Sequence, residues 1–92
     1  MGIQVSWDPW KDRLNERKHG VSFDEAVTAL QDEAAATIPD RYHSNCEFRY
    51  IHIGMSRNWR LLVVVYVERG DTLRIISARV ATPTERRTYE EG

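Results

Sequence analysis

The 92-residue sequence has one cysteine, Cys46, so no disulfide can close within the chain, the pattern of a protein working in a reducing compartment. Its longest apolar run, residues 61–67, falls far short of the roughly 20 residues a membrane helix requires. The chain does not open with a basic stretch followed by an apolar one, so no secretion signal is visible and a cytoplasmic location is expected. Charge of one sign is also lacking. The 13 Lys and Arg oppose 14 Asp and Glu for a formal net of −1, which argues against a broad electrostatic coat on nucleic acid. No linker, repeat, Gly-rich phosphate loop or Ser-His-Asp arrangement is present. Lysine itself is scarce: only Lys11 and Lys18 among the 13 cations are not Arg.

What is there has a direction. Arginine suits a planar, two-pronged grip on phosphate or carboxylate. The cations are unevenly placed: residues 1–48 hold five cations and nine acids (−4), and residues 49–92 hold eight cations and five acids (+3). With 41% hydrophobic and 29% charged residues, the composition is that of a globular protein. The length fits one domain over residues 1–92, because two cores would leave each half too small to fold.

Residues 3–7 alternate apolar and polar side chains, as a half-buried strand does. Asp8-Pro9 then supplies an N-cap and a first-turn proline for a helix over 9–18, with Trp10 and Leu14 inward and Gly20 as its stop. Ser22 and Glu25 form a capping-box pattern ahead of Phe23, Ala26, Val27 and Leu30, which predicts a second helix to about Gln31. Residues 35–39 read as a short edge strand ending at Pro39, and 40–46 as a polar loop. Residues 47–55 alternate, placing Arg49, Ile51, Ile53 and Met55 on one face and Phe48, Tyr50, His52 and Gly54 on the other. A turn at 56–59 leads to a strand over 60–68, apolar at successive positions as when both faces are buried. Arg69-Gly70-Asp71 marks a hairpin to a strand over 72–79. Thr82-Pro83-Thr84-Glu85 repeats the capping grammar before a final helix to about Glu90. The expected class is α+β, with two N-terminal helices and a C-terminal helix on an antiparallel meander covered on one face. Trp7, Trp10, Leu14 and Phe23 are expected in the core.

Trp7-Asp8, Lys11, Asn15 and Lys18-His19-Gly20-Val21-Ser22-Phe23 resemble the opening signature of the BrnT family of bacterial type II toxins. Glu47-Phe48-Arg49, Gly54-Met55-Ser56, the 61–66 strand, Arg74-Ile75-Ile76-Ser77-Ala78-Arg79, Glu85-Arg86-Arg87 and Tyr89-Glu90 continue the likeness in order over nearly the whole chain. The resemblance implies a fold like that of RelE toxins and a metal-independent ribonuclease that arrests growth. It also implies a BrnA-type antitoxin, contact with operator DNA only through that antitoxin, and a toxin–antitoxin heterotetramer as a candidate assembly.

Metal-free RNA cleavage uses the substrate's 2′-OH as nucleophile, and needs a base, an acid and cations for the charge that develops at phosphorus. No metal and no cofactor are required. His19 follows a helix C-terminus, whose negative dipole end suits a cationic side chain; it is equally suited to capping helix carbonyls. Glu47 and Arg49 lie two apart on one strand face, as a base with its phosphate clamp or as a surface ion pair. Arg79, sharing a face with Leu73, Ile75 and Ser77 by alternation, would meet a phosphate or a helix acid such as Glu85. These four are the catalytic candidates, and Lys18, Arg57, Arg60 and Arg86 the RNA-binding ones. Arg57 and Arg60 flank Trp59, a basic-aromatic grouping suited to gripping a strand and stacking a base. Of Arg86 and Arg87, about 100° apart on a helix, at most one faces a site with Arg79. Tyr89 is a proton donor or a packing residue. His43 and Cys46, with His52 nearby, supply fewer ligands than a structural zinc takes, so no metal site is expected. The alternative function is a non-catalytic module whose Arg-rich face binds an acidic protein partner.

Overall fold

In the computed structural model, residues 4–40 and 48–92 are described. Strands β1 (Gln4–Ser6), β2 (Ala36–Pro39), β3 (Phe48–Met55), β4 (Leu61–Arg69) and β5 (Thr72–Val80) form one sheet in the order β1-β5-β4-β3-β2. The strands from β2 to β5 pair antiparallel, while β1 joins the edge of β5 in parallel, making the sheet mixed. Helices α1 (Pro9–His19) and α2 (Phe23–Leu30) cover one face, and α3 (Pro83–Glu91) lies on the other. The second cover departs from the expected single one, and β4 explains it. Leu61, Leu62, Val63 and Val64 are all buried, which requires apolar material on both sides.

On the first face, Val21, Phe23, Ala26 and Ala29 pack against Leu62, Val64, Tyr66 and Ile75, with the Trp7 ring set edge-on to Phe23 at 6.1 Å. On the second, Ile53, Leu61 and Val63 lie beneath Ala81 and Tyr89. The β3 alternation divides between these layers as its sequence indicates. Gly54 has a steric reason to be glycine: a Cβ there would lie 2.5 Å from Ala29 O and 2.9 Å from His52 Nε2. The buried His52 donates from Nε2 to Ala29 O (2.8 Å) and accepts at Nδ1 from Thr37 Oγ1 (3.0 Å). Burial pushes its pKa down and keeps the ring neutral.

Helix ends follow the sequence closely. Asp8 caps α1 by accepting from Trp10 N–H at 2.9 Å, and Gly20, at φ 70, closes it onto Glu16 O. Thr82 and Glu85 complete a capping box on α3. Ser22 accepts from Glu25 N–H at the start of α2, but the Glu25 carboxylate turns away to Arg60 and Ser56, so only half of that box forms.

Two expectations are corrected. Trp10 and Leu14 are not core: they are 61% and 46% exposed, and Asn15 is the buried residue of α1. The helix meets the sheet through polar bonds rather than an apolar stripe. Asn15 Nδ2 donates to Ala78 O (2.7 Å) and Val21 O (2.9 Å), and its Oδ1 accepts from Ala78 N–H (3.1 Å). The second correction concerns β5. Its register against β4 passes from Ser77↔Val65 to Ile75↔Tyr66, leaving Ile76 as the extra residue of a bulge. Leu73 and Ile75 face α1 and α2, but the bulge turns Ser77 and Arg79 to the α3 side.

Candidate functional site

Arginines from three strands share one face, and the bulge adds Arg79 to them. Arg49 of β3 and Arg74 of β5 both register with Val67 of β4, so they flank it on the α3 side. With strands about 4.8 Å apart, their Cα atoms are separated by roughly 10 Å. Val67 is only 2% exposed between them, as expected where long arginine stems lie along an apolar surface. The next row, Ile51, Val65 and Ser77, forms a half-buried floor, and Arg79 stands in the row beyond it, opposite Val63. Arg79 is therefore about 13 Å along the sheet from the Arg49–Arg74 row, at roughly 3.3 Å per residue. Arg69 lies on the same face at the far end, with interactions of its own. The Arg49 Nε is buried and makes no hydrogen bond. Such an orphan donor is costly wherever it stays unpaired.

Arg79 is held rigidly. Its Nη1 and Nη2 each donate at 2.7 Å to the two Glu85 oxygens in a fork-on-fork pair. Glu85 also accepts from the Thr82 N–H at 2.8 Å, so one carboxylate caps α3 and orients the arginine. The Arg79 guanidinium holds the Glu85 carboxyl at about 2, below its usual 4.5. A depressed carboxyl stabilises the fold above the unfolded value and loses that contribution as pH falls from about 4.5 toward 2. Because the pair is partly solvated, the wild type should lose about 1 kcal/mol more than Glu85→Gln between about pH 5 and pH 2.5. Urea unfolding at the two pH values measures the difference, and equal losses would show the pair to be energetically silent.

The remaining candidates lie elsewhere. His19, the last residue of α1, is half-buried and lines one groove with Ile76 and Ser77 of β5 and with Lys18 and Lys11. Arg60 is committed to structure. Its Nε donates to the buried Glu25 carboxylate at 2.9 Å, its Nη2 bonds the other Glu25 oxygen, and Nη2 also reaches Gly20 O at 3.0 Å. Arg60 in turn holds the Glu25 carboxyl below its ordinary range. The same network, through Ser56, shapes the turn that leaves Arg57 exposed and Trp59 85% exposed at φ 60, unusual for a bulky side chain. On α3, Glu85 and Tyr89 are the partly buried residues, so Arg87 points away from the sheet and Arg86 lies to one side. The Tyr89 hydroxyl donates to Asp32 at 2.7 Å, tying α3 to the segment before β2. Glu47, like His43 and Cys46, falls outside the described residues.

The family model for BrnT, the ribonuclease toxin of type II toxin–antitoxin systems, matches residues 7–85. The chain belongs to the BrnT family. It is similar to the Brucella abortus ribonuclease toxin BrnT, solved at 1.1 Å, with 25% sequence identity over 87% of this chain and 97% of that one and a TM-score of 0.68. No curated protein matches. This BrnT chain is thus a ribonuclease toxin by family, with an antitoxin partner and an RNA substrate implied by that class.

The BrnT architecture brings Arg49 and Arg79 onto one face, while His19 stands at the β5 edge and Arg57 at the β3–β4 turn. Arg74 joins this face without being among the candidates the sequence offers. Strict alternation puts it on the opposite face from Arg79, and only the bulge unites them. The adjacent Ile75-Ile76 pair carries a faint signal, since one of two consecutive bulky apolar residues in a one-sided strand must break the alternation. Among the described residues no three His, Cys, Asp or Glu side chains converge as metal ligands, and both nitrogens of His52 are used by Ala29 and Thr37.

Proposed function

We propose that this BrnT chain is a metal-independent endoribonuclease whose arginine face holds the RNA backbone at the scissile phosphate. The observation that carries this reading is the row of Arg49 and Arg74 around Val67, with an orphan donor on Arg49 and the pinned Arg79 beyond. In the reaction the 2′-oxygen attacks phosphorus as a base removes its proton. The P–O5′ bond breaks as an acid protonates the leaving oxygen, giving a 2′,3′-cyclic phosphate and a 5′-hydroxyl end. Charge on the phosphorane is greatest between these events, where fixed guanidinium donors stabilise it most. His19 and Glu47 are the candidates for proton transfer, and Lys18, Arg57 and Arg86 for contact with flanking phosphates. Arg60 contributes through the turn that presents Arg57 and Trp59.

In this reading the toxin acts in the cytoplasm. A BrnA-type antitoxin neutralises it within a toxin–antitoxin heterotetramer and carries any contact with operator DNA. Regulated expression of the wild type should stop bacterial growth and degrade RNA, and the purified protein should cleave RNA in excess EDTA. The Arg79→Ala and His19→Ala proteins should lose both effects. Growth arrest retained in both variants would remove them from the site. A folded wild type that neither arrests growth nor cleaves RNA would instead favour a non-catalytic module binding an acidic protein.

A further inference from the structure

A second feature lies at the free edge of β5, on the α1 side of the sheet. β1 pairs only with Thr72–Arg74, and Asn15 takes both main-chain groups of Ala78. Residues 75–77 therefore have no strand partner on that edge among the described residues. Beside this gap lies a groove of about 610 Å³, with Leu14 and Ile76 among the residues lining it and Lys11, Arg17, Lys18 and His19 around them. Among the described residues no acidic side chain lines it. One turn before Leu14, on the same helix face, Trp10 is 61% exposed. An 11-residue helix that leaves its two largest apolar side chains in water is not explained by its own packing.

We infer that this groove is the docking site for an extended acidic segment of the antitoxin, with an apolar side chain seated on Leu14 and Ile76. The inference rests on the toxin reading above and adds where the partner binds. Charge complementarity selects an acidic occupant, because the lining charges are all basic. The aliphatic floor of Leu14 and Ile76 favours a protein side chain, since neither residue can stack a base, whereas an apolar patch of this kind is a usual anchor of a protein interface. The gap between β1 and Asn15 spans only residues 75–77, so the charged rim and the Leu14–Ile76 floor carry the recognition. A segment seated here covers His19, so docking and neutralisation share a surface.

The test uses the full-length toxin and the purified protein encoded by the adjoining reading frame. Leu14→Glu and Lys11→Glu should each weaken binding at least tenfold by calorimetry and weaken inhibition in parallel, while free toxin still cleaves RNA at near the wild-type rate. Trp10→Ala, a milder change at an exposed site, should weaken binding less and in the same direction. Unchanged affinity in both charge variants overturns the groove while leaving the ribonuclease reading intact. Variants that keep the partner but lose RNA cleavage assign the groove to RNA and also overturn the proposal. If wild-type toxin does not bind that protein at all, the proposal falls together with the antitoxin part of the functional reading, and RNA cleavage stands or falls separately.

Discussion

Asn15→Leu is expected to cost the fold about 3–5 kcal/mol, enough to unfold much of a domain whose total stability is on the order of 5–10 kcal/mol. The reason is what the side chain replaces. At the edge of β5 the main chain of Ala78 has no strand beside it, and the Asn15 carboxamide meets its N–H and C=O together, as a neighbouring strand would. The remaining Nδ2 hydrogen satisfies Val21 O in the turn between α1 and α2. Leucine leaves three buried main-chain groups without partners, at roughly 1–3 kcal/mol each before relaxation and water entry. It also removes the main anchor of α1, which buries no other residue. Asn15→Asp should be nearly as harmful at neutral pH, because a carboxylate would face two carbonyl oxygens with nothing to donate. It should recover in part at low pH, when the protonated acid can donate once. Urea midpoints followed by circular dichroism measure both variants. A loss below about 1 kcal/mol for Asn15→Leu would mean that water replaces the amide at little cost.

Local signals were legible and long-range ones were not. The Asp8-Pro9 start, the Gly20 stop and the Thr82–Glu85 box need only neighbouring residues, and the structure uses each as read. The apolar run in β4 correctly implied burial on both faces, which already pointed to a cover on the second side. Glu25 fits a capping box in sequence, but a capping box and a buried ion pair look alike until Arg60, 35 residues away, is brought beside it. The spacing of Trp10 and Leu14 predicts an inward face because apolar spacing on a helix usually marks the buried side. Here the helix is anchored by Asn15, whose partner in β5 lies 63 residues on. The Ile76 bulge had the widest effect, since one extra residue reverses every side chain beyond it. Alternation in β3 alone places Arg49 on the face it occupies, whereas alternation in β5 places Arg79 with Leu73 and Ile75, on the face opposite to the one the bulge gives it.

The Arg49–Arg74 row yields the sharpest separation of function from stability. Arg49→Met should lower the RNA cleavage rate by about 10²–10³, the usual loss for one preorganised donor at a developing charge, yet raise stability by up to about 1 kcal/mol. The stability gain follows from the buried Nε, which makes no hydrogen bond in the free protein and which methionine replaces with apolar volume of similar reach. Arg74→Ala should give a comparable rate loss, because Arg49 and Arg74 flank the same Val67 and a phosphate held by both loses half its grip when either is removed. Lysine at position 74 should restore only part of the rate, since an ammonium supplies charge without the two-pronged geometry. Arg87→Ala, on the outer side of α3, should stay within about threefold of wild type, so the effect of Arg74 is not one of net charge. Single-turnover cleavage of a short RNA, with urea unfolding of the same preparations, separates the two quantities. Full activity in both Arg49→Met and Arg74→Ala would move the chemistry off this face. A drop in activity for Arg49→Met matched by a drop in stability would make the residue a structural one. Activity lost with stability held or gained is the signature of a site kept open for an anion at the expense of the fold.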